Sequence, residues 1–498
     1  MDRRAFIARG VAVTGTGALS AVALERLAAR SALADRGHHH GHGYGEVSPM
    51  TDQHGRYIFA LPAGFSYVTF GDIGSTMTDG NLTPLALDGM AAFRGPHGTV
   101  RLIRNHEDRN PAGAGSVPTT ERSYDPAAGG GTSTLDYDPR RRKLVRDFIS
   151  LSGSHINCAG GHGLRQRSWL TGEETVFGPE YVVAAGKFPE RHGYVFEVPV
   201  DRHIGDRRRL EPLKAMGRFS HEALATDDRT GIVYETEDPG TGRGAGFYRF
   251  LPRDPWKLAK GGSLQILGLR GRPNYDARER QKRGRELPVK WIDIPDPDPD
   301  YLGEDDPGGV FRQGWDRGAT MFNRLEGCWD DGGRIYFVST SGGDEKNGDV
   351  NMPDNYREGF GQIWEYRPGH GRHGGDGALV LHYESPGGEV LDSPDNLTVT
   401  PRGGLIVCED DASSDSDTSP HAPGIEDVNR LIGITRSGEA FVFGVNIFSG
   451  SEIAGACFSP DGSTLFVNLY GDSTGTPRQH AGEGMTCAIT GPWRRGPL

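Results

Sequence analysis

Asn157-Cys158-Ala159-Gly160-Gly161, followed by Trp169-Leu170-Thr171-Gly172-Glu173-Glu174, is the stretch whose reading decides the fold. It sets one thiol and two adjacent carboxylates at the ends of two strand-like runs. Five more units of this kind surround it in the chain. The first is Asp88–Phe93 with Thr99–Asp108, and the third is His221–Thr226 with Gly231–Asp238. The fourth is Arg324–Trp329 with Arg334–Thr340, and the fifth is Pro394–Val399 with Gly404–Asp411. The sixth is Glu452–Phe458 with Thr464–Leu469. The second runs recur roughly every 60–70 residues, apart from one gap of about 103, a period that signals a repeat architecture.

That long gap holds Arg270 to Gly309, rich in charge and Pro (Pro295-Asp296-Pro297-Asp298-Pro299-Asp300), and reads as an insertion loop over one face. Runs such as Tyr194–Val198, Gly246–Phe250 and Gly361–Tyr366 supply outer strands. The 498 residues include 75 Gly and 32 Pro, a turn-rich composition that fits an all-β chain. The expected fold is therefore a β-propeller of six blades with a central channel. A pair of β-sandwiches with chance similarity is the competing architecture, and six comparable units favour the propeller.

Equivalent ends of a propeller's inner strands point toward one axis. Here those ends carry Glu107, Glu173, Glu174, Glu222, Glu326, Asp395 and Glu409, plus Cys158. Two carboxylates about 5 Å apart repel by about 3 kcal/mol at an effective dielectric near 20. Several such pairs need protonation, solvent between them, or cations. Carboxylates suit calcium or magnesium, and a thiolate among them suits a transition metal such as iron or zinc. Taken singly, each Glu reads as a solvated loop acid and Cys158 as a buried inert thiol. The coincidence across units carries the expectation of a mixed metal centre. Cys328, Cys408 and Cys457 lie in apolar runs and read as buried thiols, although two disulfides are open to the four cysteines other than Cys158.

Residues 1–34 read as a twin-arginine export signal. Arg3-Arg4 precede the weakly apolar run Gly10–Leu24, and Ala32-Leu33-Ala34 supplies a cleavage site. Residues 35–50, with His38-His39-His40, read as a solvated linker, and 51–498 as one propeller domain. The net charge is −12; the leader's five Arg and two acids contribute +3, leaving −12 − 3 = −15 on the remainder. So acidic a body excludes nucleic acid and anionic membranes as partners. Mean hydropathy is −0.54 and no transmembrane run is present, so no stable membrane insertion is expected. The acidic, Ser-rich run from Asp410 to Asp417 reads as a solvated or calcium-binding loop.

Together the motifs resemble the PhoX-type alkaline phosphatases. The resemblance rests on Asn157–Gly161 with Glu173-Glu174, Phe219-Ser220-His221-Glu222, Asn323–Gly327 and Pro394-Asp395-Asn396 with Gly403-Gly404. Ala454-Gly455-Ala456 with Ser459–Gly462, and Ala488–Trp493, extend it. It spans about Asp88 to Trp493. It implies an exported propeller, acting as a monomer in the periplasm or outside the cell, that hydrolyses small phosphomonoesters at an iron–calcium centre. Cys158 is then the thiolate ligand to ferric iron, Glu222 and Asp395 are further iron or calcium ligands, and Glu174, Glu326 and Glu173 bind calcium. Arg324 grips the substrate phosphate; a salt bridge to a channel acid is its equally weighted alternative. One departure stands out. His162–Ser168 replaces the family's usual Thr-Pro-Trp-Gly-Thr, which alters a channel mouth and makes His162 and Arg165 potential substrate contacts. Two readings compete with the phosphatase: another propeller hydrolase such as a lactonase, and a non-catalytic metal-stabilised binding module.

Overall fold

The computed structural model describes residues 43–113, 116–180, 188–240, 243–301, 309–343, 358–371, 375–410 and 428–498. The expected export signal, the His-rich tract and residues 411–417 of the acidic run lie outside them. Three strands open the described chain: β1 (Val47–Thr51), β2 (Tyr57–Pro62) and β3 (Ser66–Phe70). The first sheet is β4 (Leu87–Arg94), β5 (Val100–His106), β6 (Gly130–Asp138) and β7 (Lys143–Ser154). A three-stranded sheet follows: β8 (Gly160–His162), β9 (Ser168–Gly172) and β10 (Val195–Pro199). Then come β11 (His221–Thr226), β12 (Val233–Glu237), β13 (Phe247–Pro252), β14 (Gly262–Leu269) and β15 (Glu286–Asp293).

A short helix, α1 (Val310–Trp315), leads to β16 (Leu325–Asp330), β17 (Ile335–Ser339), β18 (Gln362–Arg367) and β19 (Ala378–Glu384). The fifth set is β20 (Pro394–Val399), β21 (Leu405–Glu409), β22 (Arg430–Ile434) and β23 (Ala440–Asn446), extended outward by β2 and β1. The last is β24 (Ile453–Phe458), β25 (Thr464–Leu469) and β26 (Met485–Thr490), closed by β3. A strand from near the chain's start thus completes the sheet built from its end. Neighbouring inner strands pack in a ring: β4 on β8, β8 on β11, β11 on β16, β16 on β20, β20 on β24 and β24 back on β4. This is a propeller-like, nearly all-β fold.

Second strands such as β21 (Leu-Ile-Val-Cys-Glu) and β25 (Thr-Leu-Phe-Val-Asn-Leu) are apolar on both faces because each sheet is covered by its neighbours on either side. Full burial of each large apolar side chain contributes about 1.5–3 kcal/mol. The closure is aromatic. Trp493 packs on Phe65, Phe443, Phe458 and Tyr44.

Two expectations are corrected here. The linker expected over 35–50 is already structured at Tyr44, which sits in that aromatic cage, and is in strand from Val47. The insertion expected as a loop over 270–309 contains β15, which pairs with both β14 and β19 and joins two sets of strands into one nine-stranded sheet. Its Leu287 and Val289 alternate into the core, a period-2 pattern that its charged neighbours obscure. The Pro-Asp run beyond it is anchored: Arg218 donates its backbone N–H to Pro297 O at 2.7 Å, and the Tyr194 hydroxyl donates to Asp298 Oδ1 at 2.6 Å. All five cysteines are buried free thiols.

Candidate metal centre

The inner strands run in one direction, so their first residues gather at one end of the channel. Four of them carry there an acid that a straight strand would not aim correctly. In β4, the ladder with β5 slips between Leu87 and Met90, around Asp88. In β11 it slips between His221 and Leu224, around Glu222. In β16 the slip brackets Glu326, and in β20 it brackets Asp395. The same irregularity in β24 lies between Ala454 and Cys457. A bulge of this kind re-aims a side chain at the cost of a local ladder bond.

A second device recurs two residues upstream. Ala86, Ile156, Arg324 and Ser393 all have left-handed φ values of +43° to +53°, and precede Asp88, Cys158, Glu326 and Asp395. Such conformations are unfavourable for residues other than glycine and persist where the surroundings impose them. The ring is also drawn tight. A Cβ on Gly89 would meet Ala159 Cα at 2.4 Å, one on Gly327 would meet Asp395 O at 2.7 Å, and one on Gly455 would meet Asp88 O at 2.6 Å. Side-chain amides tie strand to strand: Asn105 Nδ2 donates to Cys158 O at 2.9 Å, and Asn468 Nδ2 to Asp88 O at 2.6 Å.

The product is a chain of overlapping ligand sets. Asp88, Glu107 and Cys158 offer ligand atoms within 4.8 Å of one another, and so do Cys158, Glu174 and Glu222. Glu222, Glu326 and Asp395 form a third set, and Asp88, Asp395 and Glu452 a fourth. Asp410 adjoins Glu452. Burial, reinforced by neighbouring carboxylates, raises Asp88, Glu222, Glu326 and Glu452 well above the ordinary carboxylate range. Asp395 is pushed up to about 8 by the same causes. Burial likewise drives the Cys158 thiol up, with Asp88 and Glu222 adding to it. Among the described residues, neither oxygen of Asp88 or of Glu222 has a hydrogen-bond partner. Orphaned buried carboxylates around a thiol fit a cluster of cations that includes a transition metal.

Two arginines border this cluster. Arg324 donates from Nε and Nη2 to Asp238 Oδ2 at 3.1 and 2.9 Å, and its Nη2 lies 3.1 Å from Glu326 Oε1. Arg109 pairs through Nη2 with Glu107 Oε1, and with Glu174 Oε2 at 3.2 Å.

The structure brings Glu107, Cys158, Glu174, Glu222, Glu326 and Asp395 together and leaves two expected ligands outside. Glu173 accepts hydrogen bonds from the backbone N–H groups of His155, Gly193 and Tyr194 and from His192 Nδ1 at 2.7–3.0 Å. Glu409 is held by Arg430 at 2.6 and 2.7 Å and by the Asp392 amide at 2.9 Å. Consecutive residues of an extended chain face opposite ways, so Glu173 and Glu174 cannot both reach the axis. Sequence reasoning passed over Asp88, Glu452, Asp238 and Arg109, and read Asp410 only as the start of a solvated or calcium-binding loop. Asp88 stands in its unit where Glu222 stands in its own, which was the available signal.

His162 and Arg165 lie at the opposite mouth. His162 approaches Ala92 O at 3.2 Å and packs edge-on to Phe93 and Trp329. Arg165 donates its backbone N–H to Asp228 at 2.6 Å. The divergent 162–168 stretch therefore shapes a cavity of about 530 Å³ with Trp329, Thr398 and Asp330, roughly 13 Å down the strands from the acids. It does not shape the mouth that holds the acids.

Residues 42–472 match the family described as alkaline phosphatase PhoX. Among solved structures, Pseudomonas fluorescens PhoX in complex with vanadate, a transition state analogue, is similar at 19% identity. That match covers 91% of this chain and 98% of that one with a TM-score of 0.64, and it supports the fold. A gluconolactonase from Xanthomonas campestris aligns at 12% identity over 90% of this chain and 98% of its own, with a TM-score of 0.40. No curated protein matches the sequence.

Proposed function

The chain belongs to the PhoX alkaline phosphatase family, and we propose that it hydrolyses small phosphomonoesters at an iron–calcium centre held by the acids at one end of its channel. The observation that carries this reading is the run of overlapping ligand sets around Cys158, in which Asp88 and Glu222 have no hydrogen-bond partner among the described residues. Cys158, with Glu222 and Asp395 in reach of the sets it joins, would hold ferric iron. Asp88, Glu107, Glu174, Glu326 and Glu452 would hold calcium. Such cations neutralise charge on the phosphoryl oxygens and activate an oxygen nucleophile near neutral pH.

The protein's own groups do the rest. Arg324 presents a guanidinium that Asp238 orients along one edge, leaving Nη1 without a partner among the described residues for a phosphoryl oxygen. Its side chain is 31% exposed while that of Asp238 is 1% exposed, so the pair reaches from the wall into the mouth. Burial opposes the Arg324 charge, but Asp238 and Glu326 outweigh it and keep the group cationic. The vanadate bound by the Pseudomonas fluorescens protein is consistent with phosphoryl chemistry at such a site.

Residues 1–34 would direct the folded chain to the twin-arginine export machinery, leaving one catalytic domain that acts as a monomer in the periplasm or outside the cell. No helix among the described residues is long and apolar enough to cross a membrane. The test is elemental analysis of the purified protein together with phosphate release from p-nitrophenyl phosphate. Iron with several calcium ions per chain and chelator-sensitive turnover are expected. A metal-loaded protein that releases no phosphate from any monoester would sink the proposal.

A further inference from the structure

Arg109 is built like Arg324, between another pair of neighbouring units. Arg324 spans two neighbouring units, reaching Asp238 after β12 and Glu326 on β16. Arg109 likewise spans two, reaching Glu107 after β5 and Glu174 after β9. Each is anchored to carboxylates by part of its fork. In Arg109 only Nη2 is used, so Nε and Nη1 have no partner among the described residues. Its side chain is 55% exposed, whereas Glu107 and Glu174 beneath it are 7% and 13% exposed. Both arginines contact carboxylates of the overlapping ligand sets, Glu107 and Glu174 for Arg109 and Glu326 for Arg324. Two guanidinium groups therefore border one cluster of carboxylates, each from between a different pair of neighbouring units.

We propose that Arg109 is a second phosphate-binding residue, which with Arg324 selects the dianionic phosphoryl group of a monoester. The inference rests on the phosphatase reading. A phosphomonoester carries about two negative charges at neutral pH, and a diester one. Two planar forks match the first better than the second. Arg109 follows the end of β5, and its side chain is accessible from the mouth that holds the acids.

Three metal-loaded proteins test it: the unaltered chain, Arg109→Gln and Arg109→Lys. The readouts are metals per chain, inorganic phosphate binding by calorimetry, and KM and kcat for p-nitrophenyl phosphate and for bis-p-nitrophenyl phosphate. Loss of one charge-assisted contact predicts that Arg109→Gln weakens phosphate binding and raises the monoester KM by roughly ten- to a hundredfold. Diester kinetics should change less, metal content should stay the same, and Arg109→Lys should recover part of the loss. Unchanged phosphate affinity in Arg109→Gln overturns the proposal. So does a loss of metal that accounts for the whole effect, because Arg109 would then serve only to steady Glu107 and Glu174. If the unaltered enzyme turns over no phosphate ester, the phosphatase reading fails separately, and calorimetry with phosphate still decides the arginine.

Discussion

The two ends of the channel use the same inner strands and the same residue types, yet treat them oppositely. At the far mouth, acids sit in hairpin turns and are satisfied locally. Asp227 accepts from the Arg229 amide and guanidinium and from Thr230; Asp330 accepts the amides of Gly332 and Gly333; Asp461 accepts from Ser459 and Ser463. At the near end the strands bulge, and Asp88 and Glu222 have no partner among the described residues. Acidity is common to both mouths. What marks the site is the acid that the fold has denied a donor. The contrast is sharpest between adjacent residues, Glu173 with four donors and Glu174 with only an arginine.

The strongest way to break this comparison is at the thiol. Cys158→Ala should lower kcat/KM by more than about a hundredfold with matching loss of bound iron, since even groups that merely support a metal ligand cost 10–100-fold. Steady-state assays with elemental analysis decide it, and an active, iron-replete variant would remove Cys158 from the centre. Next is the Glu173/Glu174 pair. Glu173→Gln should destabilise the fold by about 3–5 kcal/mol, because His192, raised to about 9 after burial is outweighed by Glu173 and Asp125, loses a buried partner. Glu174→Gln should instead abolish most turnover with little loss of stability. Urea unfolding and activity measured side by side would show whether the two roles separate.

A smaller effect lies in pH. Asp395 stands at about 8 in the folded chain against 3.8 for the free group. Between those values the folded state holds the proton and the unfolded state does not, so its contribution to stability is full below pH 4 and is lost as pH rises through 8. The chelated protein should therefore melt several degrees lower at pH 8.5 than at pH 5, and added calcium should restore most of the difference. A melting temperature flat across that range would show the acids are not protonated on metal removal. The smallest change is expected at the far mouth: Asp330→Asn keeps an acceptor for the turn amides and should alter kcat/KM by less than about twofold, like other substitutions away from such features.

Much of the site could be read from the chain, and the errors have a common source. Cys158, Glu222, Glu326 and Asp395 were legible because each falls at the same place in a repeating unit. Asp88 holds that place too, but looked like an ordinary strand start beside the more acidic ends of second strands; Glu452 lies outside it, because the equivalent place in β24 is taken by Gly455. Glu409 looked like one of those ends, and only the structure reveals Arg430 at its side. The 162–168 stretch carried no mark of which mouth it serves, since that depends on strand direction around the ring.

The sequence by itself determined the repeat, the all-β architecture, the family and the presence of a thiol among carboxylates. Each of these is a matter of local pattern and spacing. Tertiary structure alone decided which carboxylates converge. A one-residue slip reverses the facing of a strand residue, and the slips at Asp88, Glu222, Glu326 and Asp395 are imposed by neighbouring strands packed against glycines. Whether an acid there finds a donor depends on residues tens to hundreds of positions away, such as Asp238 for Arg324 and Arg109 for Glu174. No local pattern records that.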